Sequence, residues 1–301
     1  MKTIVIDGVE LSLSHPDEIK IDWVGGEDLL RQLSAAWLKI DENDLPMSPR
    51  LIGKPGVGKT SLAYAAAKMK MNRDVYIFQC TMDTRPEDLI ITPVISSEGK
   101  IKYHASSLVT AMVKGQACVL DEGNRMSEKS WASLAPLLDN RRYVESVVAG
   151  IKIHAHPDFI LCVTMNDDSS AYEIPEYIHS RLQPSIEMFF PEREEELEIL
   201  RRNCAPAEDN VLETVVDFLQ RAHMFGEPYT VRDGINILRF AVKLAEAEQS
   251  SQSDRLAFSI NSVLGQDALR YLNPSLEDEL PDRELFIEGE FPIDNLDFDE
   301  N

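Results

Sequence analysis

The sequence predicts an α/β fold: a parallel sheet flanked by helices, followed by a small all-helical region. Three observations predict it. From residue 48 onward, short apolar runs alternate with helical stretches, the order that builds strand–helix–strand units. A glycine-rich turn, Gly53 to Thr60, joins the first of these runs to a helix. After Pro191 the apolar spacing becomes three-to-four, the period of amphipathic helices.

The elements follow in order. Two alternating runs within 3–13, TIVI and VELSL, are joined by Asp7-Gly8, a strong hairpin signal. A helix is expected over 26–40 with Leu29, Leu30, Leu33, Ala36 and Trp37 on one face, and DENDLP then breaks the pattern. Core strands are expected at 49–52, 75–79, 117–120, 159–164 and 184–189. The helix after the glycine-rich turn carries Leu62, Ala65, Ala66 and Met69 on one face. TPVISSEGKIKYHAS reads as a hairpin turning at Glu98-Gly99, and 141–155 as another turning near Ala149-Gly150. PEREEELEILRR places Pro191 at the first helical position, glutamates in the first turns and arginines at the end, as the helix dipole favours. Val211, Val215, Phe218 and Leu219 mark one later amphipathic helix, and Ile235, Leu238, Ala241, Val242 and Ala245 another. The expected organisation is an N-terminal hairpin and helix (1–47), an α/β domain (48–190), a helical lid domain (191–272) and an acidic tail (273–301). That tail holds eleven acidic residues and one basic residue, Arg283, and is expected to lack a packed fold of its own.

Composition narrows the function classes. The 301 residues are 44% hydrophobic and 27% charged, ordinary for a globular protein. No run approaches the length of a membrane span, and the start carries Asp7 and Glu10 inside its apolar part, unlike a signal peptide, so a cytoplasmic chain is expected. Cys80, Cys118, Cys162 and Cys204 lie far apart with no CxxC pair, which excludes a zinc site or disulfide framework, and all four read as structural. The net charge of −22 repels phosphate backbones and disfavours direct nucleic-acid binding, short of a local basic pore. His154 and His156 read as a solvated hairpin, and Met69 and Met71 as helix packing.

Gly53-Lys54-Pro55-Gly56-Val57-Gly58-Lys59-Thr60 fits GxxxxGK[ST] in full, after the apolar strand Arg50-Leu51-Ile52 and at the start of a helix. Backbone amides of such a loop cradle phosphates. Gly53, Pro55, Gly56, Val57, Gly58, Lys59, Thr60 and Ser61 are the expected nucleotide contacts, with Lys59 neutralising the β- and γ-phosphates and Thr60 ligating Mg²⁺. Ala117-Cys118-Val119-Leu120-Asp121-Glu122 is an apolar run ending in two carboxylates: Asp121 to hold Mg²⁺, Glu122 to polarise the attacking water. The cofactors expected are therefore ATP and Mg²⁺.

With DEGNR, the apolar strand ending in Asn166, Arg181 in IHSRL and Arg232 in YTVRDGINILRFA, the chain resembles the MoxR and dynein-related branch of AAA+ ATPases over roughly 48–247. The resemblance implies a P-loop NTPase fold in which Asn166 is sensor 1, Arg181 an arginine finger for the neighbouring subunit's γ-phosphate, and Arg232 sensor 2 on a lid helix. The catalytic set is then Lys59, Glu122, Asn166, Arg181 and Arg232. Arg125 matches a position that is often Arg in this branch, with an intersubunit or structural role. The two hairpins match elements that border a central pore in relatives. Lys54 stands where a small residue or Pro is more usual.

The function this implies is ATP hydrolysis in a homo-oligomeric ring, a hexamer, that remodels, assembles or activates a protein client in the manner of a chaperone. In similar systems that client is frequently a von Willebrand factor A domain protein. Two other readings remain: a nucleotide-gated subunit of a restriction or defence complex, resembling McrB-type GTPases and acting with a nuclease, and a scaffold that binds nucleotide without turning it over.

Overall fold

The computed structural model describes residues 2–20, 23–167, 174–204, 206–247 and 252–272; the expectation for the acidic tail lies outside the described residues. The chain begins with a hairpin, β1 (Thr3–Ile6) and β2 (Val9–Ser12), turning through Asp7-Gly8, and continues into α1 (Glu27–Trp37). Then come β3 (Arg50–Gly53), α2 (Lys59–Ala65), β4 (Val75–Gln79) and α3 (Pro86–Leu89). A second hairpin, β5 (Ile91–Ile95) and β6 (Ile101–Ala105), precedes α4 (Ser107–Lys114), β7 (Ala117–Asp121) and α5 (Glu128–Leu134). A third, β8 (Tyr143–Ser146) and β9 (Ile151–His154), precedes β10 (Ile160–Asn166), α6 (Glu176–His179) and β11 (Ser185–Met188). Both inserted hairpins turn where the sequence predicts. The rest is helical: α7 (Arg193–Asn203), α8 (Asp209–Met224), α9 (Val231–Ala247) and α10 (Gln252–Leu264).

The five predicted core strands form one sheet in the order β11-β3-β10-β7-β4, parallel throughout. Cys118 and Leu120 of β7 face one buried layer, Ala117 and Val119 the other, so a nearly continuous apolar run is what a strand covered on both faces requires. A third apolar cluster, including Leu200, Val215, Phe218, Leu238 and Ile260, is the core of the helical region. All four cysteines are free and buried, and burial pushes the thiols of Cys80, Cys118 and Cys162 well above their usual range. Among the described residues no helix is long and apolar enough to cross a membrane.

Three details differ from the sequence reading. The N-terminal hairpin does not stand apart: β2 pairs in parallel with β6, giving a second sheet ordered β1-β2-β6-β5. Leu11 and Leu13 enter the main core, and the Asp17 carboxylate accepts from the Ile77 amide at 2.7 Å along the open edge of β4. Met69 is 62% exposed rather than part of the α2 stripe. From Ala66 to Lys70 the helix continues with π turns, whose wider repeat rotates residue 69 out of line with Leu62 and Ala66. Pro191 lies in the link before α7, not at its first position; Glu192 is the N-cap.

Candidate functional site

Parallel pairing brings Gly53, Asp121, Asn166 and Met188 to the same edge of the sheet, the carboxyl ends where open α/β sheets bind ligands. The loop after β3 depends on two glycines. Gly56 (φ +85) and Gly58 (φ +97) adopt left-handed backbone, and Gly58 caps α2. A Cβ on Gly56 would lie 2.8 Å from Thr230, so the region before α9 packs directly on the loop. Lys54 and Pro55 are exposed at its tip. Lys59 is 6% exposed, and its ammonium donates to the carbonyls of Gly53 and Lys54, both at 2.8 Å.

Next to it, one carboxylate oxygen gathers two hydroxyls. Thr60 Oγ1 donates to Asp121 Oδ1 at 2.5 Å, and Thr164 Oγ1 donates to the same oxygen at 2.6 Å. Thr164 is fully buried and also accepts from the Glu122 amide at 2.9 Å. Glu122 has φ +55 and ψ +43, a left-handed conformation that costs a non-glycine residue about 1–2 kcal/mol. Its carboxylate is held from both sides: Asn166 Nδ2 donates to Oε1 at 3.1 Å, and Arg125 Nε lies 2.6 Å from Oε2. Asn124 braces Asn166 in turn, donating to its carbonyl at 2.8 Å.

Beside the loop lies a cavity of about 390 Å³ lined by Gly56, Val57, Gly58, Ser61, Met188, Phe190, Arg232 and Ile235, among others. Trp23 and Val24 close it from the N-terminal side; Trp23 Nε1 donates to the Gly25 carbonyl at 2.8 Å, and its ring packs over Gly58. Arg232 is the second residue of α9, whose start is fixed by Asp233 accepting from the Thr230 amide (2.8 Å) and hydroxyl (2.9 Å). Arg181 lies elsewhere. Its partners are the Tyr177 carbonyl and, at 3.5 Å, Asp139 Oδ2; like Lys59, Thr60, Asp121, Glu122 and Asn166, it is not among the residues that line the cavity. Hydrogen bonds from Arg141, with the charge of Arg181 adding, hold the Asp139 carboxyl down at about 2.

Residues 50–182 match the AAA domain of the dynein-related subfamily. This segment is an AAA+ ATPase domain. Around it the chain is similar to CbbQ of Hydrogenophilus thermoluteolus, 29% identical over 124 residues covering 41% of this chain and 45% of that protein. It is also similar to the denitrification regulatory protein NirQ of Stutzerimonas stutzeri, 27% identical over 168 residues, 55% of this chain and 58% of that one. The chain thus spans about half the length of the curated relatives it matches. Among solved structures, the RuvB Holliday junction branch migration motor of Thermotoga maritima shares the fold, with a TM-score of 0.54 at 18% identity over 81% of this chain and 72% of that one. So does NtrX from Brucella abortus, with a TM-score of 0.58 at 14% identity over 86% and 58%.

The sequence alone assigns no role to Thr164, Asn124, Trp23 and Phe190, and leaves Arg125 open between an intersubunit and a structural one. Strand periodicity puts Thr164 on the same face of β10 as Asn166 but does not report the acid its hydroxyl meets.

Proposed function

We propose that this protein is a magnesium-dependent ATPase of the MoxR-like type that works as a ring, a hexamer, and spends the energy of hydrolysis on remodelling, assembling or activating a partner protein. The observation that carries the catalytic part is the Glu122 carboxylate, held between Asn166 and Arg125 one residue from the Asp121–Thr60 pair.

The residues present fit nucleotide and metal. Thr60 and Asp121 offer the hard oxygen donors that Mg²⁺ takes, and among the described residues no group of three or more His, Cys, Asp or Glu side chains could hold a metal without substrate oxygens. Held there, Mg²⁺ would supply positive charge that offsets the negative charge of the phosphates. Lys59 adds a second positive charge beside the loop. Glu122 accepts a hydrogen bond from the attacking water, and Asn166 keeps that carboxylate aimed. The apolar wall of Trp23, Val57 and Ile235 suits a purine, and Arg232 meets the phosphate tail from the helical side. Arg181, whose partners are Tyr177 and Asp139 and not the phosphate loop or Glu122, would complete the site of a neighbouring copy, making turnover depend on assembly.

Partner remodelling is supported by the similarity to NirQ, whose name describes a regulatory protein, and to CbbQ. A von Willebrand factor A domain protein is the client we favour. The test is a pull-down from the native host with Glu122→Gln protein held in ATP, read by native mass spectrometry. Ring-sized complexes carrying a defined protein client support the proposal. Recovery of a nuclease or DNA, or an ATP-loaded monomer alone, contradicts it.

A further inference from the structure

The phosphate loop carries a second lysine. Lys54 Nζ lies 5.2 Å from the centroid of the Phe190 ring. Phe190 in turn stacks on His223, with ring centroids 3.9 Å apart and planes 3° from parallel. Phe190 belongs to the link between β11 and α7, where the chain passes from the sheet to the helical region, and it lines the nucleotide cavity. His223 sits in the last turn of α8. Its Nε2 is 2.6 Å from the Tyr229 carbonyl, an atom that only accepts, so Nε2 carries the proton. The next residue, Thr230, is the one that packs on Gly56. The stack thus ties the lysine at the loop's tip to the segment that positions Arg232.

We propose that Phe190 and His223 are positioning residues for the nucleotide, forming with Lys54 a latch that holds the helical region on the phosphate loop while the imidazole is neutral and loosens when it is protonated. The inference rests on the nucleotide-binding reading of the site. A protonated His223 would place a second cation beside Lys54 against a single aromatic ring. Burial lowers the His223 pKa from its usual value, the Tyr229 hydrogen bond opposes this, and the charge of Lys54 lowers it further. The other charges of that corner are engaged: Glu227 with Arg270 at 2.6 Å and with the Tyr271 hydroxyl at 2.7 Å, and Arg221 with the carbonyls of Tyr271 and Leu272. Because the latched state resists protonation, it is fully favoured above about pH 6.5 and weakens as the pH falls through that value.

The test is the dissociation rate of a fluorescent ATP analogue with Mg²⁺ from the full chain between about pH 5.5 and 8.0. Release from the natural sequence is expected to quicken by about three- to tenfold at the acid end. His223→Phe keeps a ring in the stack but cannot titrate, so it should show only the nucleotide's own protonation, which is common to every variant. His223→Gln, which keeps a donor for Tyr229 but no ring, should release quickly at every pH. Lys54→Met should shrink the acid response. Superimposable pH profiles for the natural sequence and His223→Phe would overturn the latch alone. Failure of the natural sequence to bind the analogue at any pH would overturn the nucleotide reading and the latch with it.

Discussion

Thr164 and Asp121 lie on neighbouring strands, and the buried Thr164 hydroxyl donates to Asp121 Oδ1 at 2.6 Å while accepting from the Glu122 amide at 2.9 Å. One hydroxyl therefore sets the direction of Asp121, the proposed Mg²⁺ ligand, and of the backbone that carries Glu122, the proposed water-activating acid. Thr164→Val keeps the shape and strands the Glu122 N–H, which costs about 1–3 kcal/mol of stability. Turnover should fall about tenfold or more, with a higher Mg²⁺ requirement, and Thr164→Ser should restore both. Magnesium titrations of the hydrolysis rate and thermal melts measure this.

Glu196 carries a pH signature into the helical region. Its side chain is fully buried, Gln220 donates to Oε2 at 2.8 Å and Oε1 has no partner among the described residues, so burial raises its pKa to about 7 against the Gln220 hydrogen bond. The folded pKa exceeds the unfolded 4.5, so folding favours the protonated acid. Stability of the helical region should then be greatest at low pH with respect to this group, fall between about pH 4.5 and 7, and level off above, by about 3 kcal/mol at most. Chemical denaturation of the natural sequence and of Glu196→Gln across that range checks the sign, since the variant should lose the slope.

Gly56→Ala meets two obstacles, the left-handed backbone and Thr230 at 2.8 Å. Strain of about 1–2 kcal/mol plus displacement of the start of α9 should weaken nucleotide binding by tenfold or more. Calorimetric titration with a slowly hydrolysed ATP analogue measures it, with Gly8→Ala, on the distant β1–β2 turn, as a control that leaves affinity unchanged.

Trp23 packs over Gly58 at the cavity wall. Trp23→Ala should raise the nucleotide Kd about tenfold or more through lost apolar contact, while the hydrolysis rate at saturation stays within about twofold. A rate loss at saturation with unchanged Kd would mean that the ring serves catalysis and not binding.

The parts of this site that were legible in the sequence are those encoded within a few residues. Gly53–Thr60 announces its turn by its own glycines, and Asp121-Glu122 by the apolar run that delivers them. Asn166 drew its role from the family resemblance, which places it at the end of the strand. Thr164 was not: a threonine inside FILCVTMN reads as a β-branched core residue, and only the pairing of β10 with β7 gives its hydroxyl an acid to meet. Trp23 packs over Gly58, and His223 stacks on the Phe190 ring that Lys54 overlies, from sequence positions far to either side, which local periodicity does not report. The same reason hid the pairing of β2 with β6, strands some ninety residues apart. Met69 failed for a local cause, the π turns after Ala66, which no apolar pattern signals.

The most direct measurement is a paired one on Glu122→Gln: steady-state ATP hydrolysis, and affinity for ATP with Mg²⁺. Among the described residues the Glu122 carboxylate meets the Asn166 amide and the Arg125 guanidinium, neither of which belongs to the phosphate loop. Turnover should drop by a hundredfold or more while the Kd changes by less than about threefold. Loss of binding with the turnover of the residual bound fraction intact would contradict the assignment of Glu122 as the residue that activates water.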